Sequence, residues 1–120
     1  LKIQIVIFDG CDELDAIAPF EVLCNAATGG ADLQVEITTL DENAEVVAAH
    51  GLRVRPDACL SLGKPPDVLI VPGGGWNSHA PQCTRAEIQC GRLPAAIADL
   101  YRTHTIVAAV CTGAMLIAAA

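Results

Sequence analysis

Apolar positions along this chain follow two rhythms. Nearly uninterrupted β-branched and aliphatic runs occur at Ile3–Phe8, Val35–Leu40, Asp67–Val71 and Thr105–Val110. Each is short and bounded by turn-forming residues, which predicts buried strands. Between them the spacing changes: Leu14, Ile17/Ala18, Val22 and Ala26 recur at helical intervals. Asp12 and Glu13 open that stretch, where carboxylates suit the helix dipole, and Gly29-Gly30 stops it. Pro19 is expected only near the first turns of such a helix or at a kink.

Val46-Val47-Ala48, His50-Gly51 and Leu52-Arg53-Val54 read as a hairpin of weak strands. Leu93–Tyr101 reads as an amphipathic helix with Pro94 near its first position, and an apolar helix follows from Gly113 to Ala120. Trp76–Gly91 reads as loop plus helix. Strands alternating with helices, most strands being continuously apolar, predict a mainly parallel sheet with both faces covered. The fold class is therefore α/β, a three-layer α/β/α sandwich, in one domain spanning 1–120.

Composition narrows the class further. Hydrophobic residues make up 52% and aromatics only 3%, so the core is built from Ala, Val, Leu and Ile rather than from stacked rings. The net charge of −7 is the wrong sign for a phosphate-backbone binder, which excludes nucleic acid as a partner of this chain by itself. Ile106–Ala120 is too short to span a bilayer, and no basic, apolar leader opens the chain. A soluble cytoplasmic protein is expected. The start at Leu1 and the end inside an apolar run predict a truncated piece of a larger domain.

The six cysteines (Cys11, Cys24, Cys59, Cys83, Cys90 and Cys111) contain no Cys-x-x-Cys pair. An even count permits three disulfides, but disulfide scaffolds are usually poor in aliphatic residues, so free thiols in a reducing compartment are expected. His50, His79 and His104 form no short cluster with cysteine, so no metal is expected.

In a parallel sheet, ligands bind beyond the carboxyl ends of the strands. Three turns lie there: Asp9–Asp15, Pro72–Gly75 and Val110–Ala114. In Val110-Cys111-Thr112-Gly113-Ala114 the order of residues is that of a nucleophile elbow carrying sulfur, with small Ala109 and Gly113 two positions to either side of Cys111. A thiol there faces a helix N-terminus, which favours the thiolate; the plainer alternative is a buried free cysteine. Pro72-Gly73-Gly74-Gly75 lacks the Lys-Ser/Thr of a phosphate loop, and its glycines let main-chain N–H groups enter the site. Asp15 and Glu21 have apolar neighbours and are candidates for inward-facing carboxyls with raised pKa. Trp76 and His79 are candidate pocket residues; His50 and His104 read as structural.

Taken together and in order, these segments resemble the ThiJ/PfpI superfamily, which has a flavodoxin-like, class I glutamine-amidotransferase-like fold. The carrying residues are Ile5–Asp15 with Ala18-Pro19-Phe20-Glu21-Val22, then Val68–Gly75, then Val110–Ala114. They look most like the branch holding isonitrile hydratase and the amidotransferase-like domains of AraC-type regulators. The resemblance implies Cys111 as nucleophile, Asp15 as the carboxyl beside its sulfur, and the N–H groups of Gly74 and Thr112 as an oxyanion-type pocket. Thr112 stands where protease-like members carry histidine, which argues against a Cys-His dyad here. Family members continue beyond the elbow helix and are commonly homodimers. The implied reaction is hydration of an isonitrile to an N-formyl amine, with a small molecule as substrate or ligand, a second copy of the chain as partner in a homodimer, and no cofactor. A ligand- or redox-sensing domain of a transcription regulator, or a member with an oxidisable thiol and no turnover, remain alternatives.

Overall fold

In the computed structural model, residues 1–42 and 45–120 are described. Seven strands and four helices are present among them: β1 (Lys2–Val6), α1 (Glu13–Thr28), β2 (Gln34–Thr39), β3 (Val46–Val47), β4 (Arg53–Val54), β5 (Ala58–Cys59), β6 (Val68–Val71), α2 (Thr84–Cys90), α3 (Arg92–Arg102), β7 (Ile106–Ala109) and α4 (Gly113–Ala118). Five strands form one wholly parallel sheet in the order β5-β2-β1-β6-β7, and β3 pairs with β4 as a separate antiparallel hairpin.

The chain winds outward from the centre in both directions. β1 passes through α1 to β2 on one side, and β6 passes through α2 and α3 to β7 on the other. Right-handed crossovers in opposite directions put α1 on one face and α3 on the other. The packing agrees, since α1 rests on β1 and β2 while α2, α3 and α4 pack on one another, with α3 and α4 over β7. This gives the three layers. Ile5, Val6, Leu69, Val71, Leu93, Ile97, Leu100 and Leu116 form the middle of the core, each at most 1% exposed.

Burying these aliphatic side chains supplies the main driving force, at roughly 1.5–3 kcal/mol for each large one. The α3 helix shows how the pattern works: Leu93, Ile97 and Leu100 are buried while Ala95, Tyr101 and Arg102 face solvent.

Pro19 lies in the second turn of α1, near the first turns as expected, and leaves the Asp15 carbonyl without the helical N–H that would bond it. Two features differ from expectation. β5 has no apolar run of its own and exists because Ala58 and Cys59 pair with Thr38 and Thr39. The sheet is also not covered everywhere. Register puts Ile106 and Ala108 beside Val68 and Ile70 on one face, and α1 does not reach β7, so both residues are exposed, Ile106 at 65%.

Candidate functional site

The elbow forms where β7 runs into α4. Val110 N–H donates to the Val71 carbonyl at 3.0 Å, and Gly113 N–H returns to the Val110 carbonyl at 3.0 Å. Between them Cys111 takes φ 54°, a left-handed backbone that side-chain-bearing residues seldom adopt. Such strain persists only where the surroundings enforce it. Gly113 lets the turn close this tightly: a Cβ there would lie 2.0 Å from the Val71 carbonyl oxygen, so the turn closes only over glycine. The turn leaves Cys111 exposed at the carboxyl edge of the sheet.

The glycine loop leaves β6 alongside. Gly73 N–H donates to Asp15 Oδ2 at 3.2 Å, and its carbonyl accepts from Asp12 N–H at 2.8 Å. A Cβ on Gly73 would meet Thr112 Oγ1 at 2.3 Å, so Thr112 packs directly on this glycine. Gly74 has φ 150°; its N–H donates to Thr112 Oγ1 at 3.2 Å and its carbonyl accepts from Thr84 N–H at 2.9 Å. Asp15 and Thr112 therefore hold successive N–H groups of one loop, and Cys111 is the residue before Thr112. Asp15, Gly74 and Thr112 come together, with the Gly74 N–H engaged by the Thr112 hydroxyl. Thr112 in turn lies 3.4 Å from Thr84 Oγ1.

The turn after β1 is bound to the β3–β4 hairpin. Asp9 Oδ1 accepts from Val47 N–H at 2.9 Å, Gly10 N–H donates to the Val47 carbonyl at 2.9 Å, and Ala49 N–H donates to the Cys11 carbonyl at 2.8 Å. Glu13 closes the strap: it accepts from His50 N–H at 2.6 Å and lies 2.7 Å from His50 Nδ1. Burial pushes the Glu13 carboxyl upward, but the His50 ring and the main-chain N–H groups of Glu13, His50 and Leu52 outweigh it and hold it at about 2. The hydrogen bond and charge of Glu13 raise His50 in turn. Asp12 caps α1 by accepting from Leu14 N–H at 3.1 Å. Ligand atoms of Asp12, Glu13 and His50 lie within 4.8 Å of one another. Glu13 already spends both oxygens on His50, and the positive end of α1 disfavours a cation, so the cluster acts as a strap.

The other candidates lie elsewhere. Glu21 is exposed rather than inward-facing. His79 and His104 are exposed turn residues with φ 51° and φ 70°. Trp76 stacks under the Arg85 guanidinium at 4.0 Å, and its carbonyl accepts from Arg85 Nε at 2.9 Å. All six cysteines are free; Cys11 is buried, which pushes its thiol up to about 11. A cavity of about 240 Å³ opens between Gly10, the hairpin residues Val47 to Ala49, and Gly75. Cys111 lines neither this cavity nor the four others described along the chain. No helix among the described residues is long and apolar enough to cross a membrane.

Comparison with known proteins matches the chain to a family. The family model described as DJ-1/PfpI matches residues 1–120. An uncharacterized protein in the cpoL 5' region of Streptomyces lividans is 31% identical over 119 residues, covering 99% of this chain and 79% of that protein. An uncharacterized protein of Staphylococcus epidermidis is 31% identical over 80 residues, covering 65% of this chain and 44% of that one. Among solved structures, oxidized DJ-1 of Toxoplasma gondii superposes with a TM-score of 0.74 at 18% identity, over 97% of this chain and 58% of that chain. An AraC family transcriptional regulator of Pseudomonas putida superposes with a TM-score of 0.74 at 19% identity, over 99% and 69%. The chain thus spans a little over half the length of the DJ-1 structure, and at these identities the likeness to solved structures is one of fold.

Proposed function

This chain belongs to the DJ-1/PfpI family, and from that premise we propose that it is a cysteine-dependent enzyme of the isonitrile-hydratase kind, with Cys111 as nucleophile. The observation that carries the reading is the left-handed backbone of an exposed Cys111, held open by Gly113 at a strand-to-helix turn. A protein keeps a strained, accessible thiol at the ligand-binding edge of a parallel sheet when that thiol reacts.

In the proposed reaction the Cys111 thiolate attacks the terminal carbon of an isonitrile, forming the C–S bond. The thiol proton, relayed by Asp15, is delivered to the same carbon, giving a thioimidate. Water then adds to that carbon, the C–S bond breaks, and the thiolate leaves as the nitrogen takes a proton. The product is an N-formyl amine, so one isonitrile and one water are consumed. Support for Asp15 comes from its bond to Gly73 N–H, the glycine on which Thr112 packs. Turnover of an alkyl isonitrile with appearance of the formamide, lost in Cys111→Ala, tests the reading; unchanged turnover in that variant would overturn it.

A sensing role is the second reading. An exposed thiol that lines none of the five described cavities suits a residue awaiting modification as well as one awaiting substrate. Oxidation of Cys111 without isonitrile turnover would favour it.

A further inference from the structure

We propose that the cleft beyond the carboxyl ends of β1 and β2 is a second ligand site, separate from Cys111, that takes a small organic ammonium ion on Glu87 and Asp9. It stands whether or not Cys111 is a nucleophile.

The cleft has a volume of about 340 Å³, within the roughly 300–1,000 Å³ of small-molecule pockets. Phe8 and Asp9 line it from the turn after β1, Leu40 and Asp41 from the turn after β2, and Ala86 and Glu87 from α2. β1 and β2 are neighbours in the parallel sheet, so the cleft sits where such sheets bind ligands. An apolar lining with a few polar groups is the usual make-up of these sites.

Charge selects the ligand. Three carboxyl groups, those of Asp9, Asp41 and Glu87, line the cleft against one guanidinium, that of Arg92. Arg92 is already committed, since Nη1 and Nη2 donate to the two oxygens of Asp41 at 2.8 and 2.6 Å. Asp9 Oδ1 accepts from Val47 N–H, and its Oδ2 has no partner among the described residues. The Glu87 side chain is half-buried and has none at all among the described residues. Every other described carboxylate that is not exposed has at least one. Burial raises the Glu87 carboxyl; Arg92 opposes the rise, and the charges of Asp9 and Asp41 add to it. A half-buried carboxylate without a counter-charge is costly, and a cationic ligand supplies that counter-charge.

The arrangement suits an organic cation better than a metal ion. A metal needs several ligand atoms converging on one point. Among the described residues only Asp12, Glu13 and His50 bring three such atoms within 4.8 Å of one another. An ammonium group on an apolar body has no such need. Its N–H donors reach separate carboxylates, while the body rests on Leu40, Ala86 and Phe8, whose ring adds attraction for a cation.

The test titrates the folded, isotope-labelled chain with phenethylammonium chloride at pH 7 and follows amide shifts by NMR, with phenethyl alcohol as the uncharged counterpart. Saturable shifts are expected at the Asp9, Asp41 and Glu87 amides below about 10 mM ammonium. The alcohol is expected to bind at least about tenfold more weakly. A similar loss is expected for the ammonium in Glu87→Gln, which keeps the size and removes the charge. Cys111→Ala is expected to bind like wild type, so loss of the hydratase reading leaves this site standing. Equal affinity for ammonium and alcohol in the unmodified chain overturns the proposal whether or not the variant folds. So does wild-type affinity in folded Glu87→Gln, and so does a lack of saturable shifts at the cleft.

Discussion

Two cysteines follow strands of the same sheet at its carboxyl edge, and their surroundings make them opposites. Cys11 lies in the turn after β1, where four main-chain and carboxylate bonds from the hairpin close over it: Asp9 to Val47, Gly10 to Val47, Ala49 to Cys11, and His50 to Glu13. Burial holds its thiol near 11, so it stays protonated and inert. Cys111 lies in the turn after β7, exposed and in a strained backbone. The first turn is tied to the hairpin, and α1 carries Asp15 out from it to Gly73. The second turn presents an exposed thiol. Placement at a strand end is thus not enough to bring a thiol to the surface; at Cys111 the elbow lifts it out of the core.

That contrast can be broken at several points, beginning with the most damaging. Gly113→Ala pushes a Cβ to 2.0 Å from the Val71 oxygen, and overpacking against main chain cannot relax as a side chain would. A loss of stability above about 3 kcal/mol is expected, with little folded protein in a denaturant titration. Cys111→Ala is expected to fold normally and to lower isonitrile turnover by at least about a thousandfold, whereas Cys11→Ala alters stability and leaves turnover within a few fold. Asp15→Asn keeps the size but removes the charge and the proton acceptor, lowering kcat by about 10²–10⁴-fold if it is the acid–base group.

Smaller effects come from the strap. Glu13 is held down at about 2, so its share of the strap is present above the ordinary carboxylate range and is lost as pH falls toward 2. His50 is held up, so its share is complete below the ordinary histidine range and is lost as pH rises through its elevated value. The strap is therefore tightest from roughly pH 4.5 to 6.5. Protection of the Ala49 and His50 amides, relative to their intrinsic exchange rates, is expected to be greatest in that window, and His50→Ala should flatten the alkaline side. Equal protection from pH 5 to 9 in the wild type would show that His50 contributes nothing. Glu21→Gln, at an exposed position, is expected to change nothing measurable.

Much of this was legible in the chain because β6 and β7 are pure aliphatic runs and β1 continues into one through Ile7, each ending in a turn that admits only particular residues. The elbow could be read because Ala109 and Gly113 leave room around Cys111. Features that depend on pairing across distance carry no local signal. β5 is two residues that take their conformation from β2. Glu13 and His50 are 37 residues apart and meet only when the hairpin folds over α1. Thr84 lies among polar residues in a stretch without clear periodicity, and only its complete burial beside Thr112 sets it apart. Glu21 misled because apolar neighbours in a helix say nothing about which face the residue between them takes.

The central claim is that the elbow, rather than exposure alone, makes Cys111 reactive, and Cys90 provides the internal control as the other exposed thiol. Brief treatment of the folded chain with iodoacetamide at pH 7, with each cysteine quantified by peptide mass spectrometry, measures this directly. Cys111 is predicted to be modified at least about tenfold faster than Cys90, with Cys11 and Cys83 essentially unmodified. Equal rates at Cys111 and Cys90 would contradict the account.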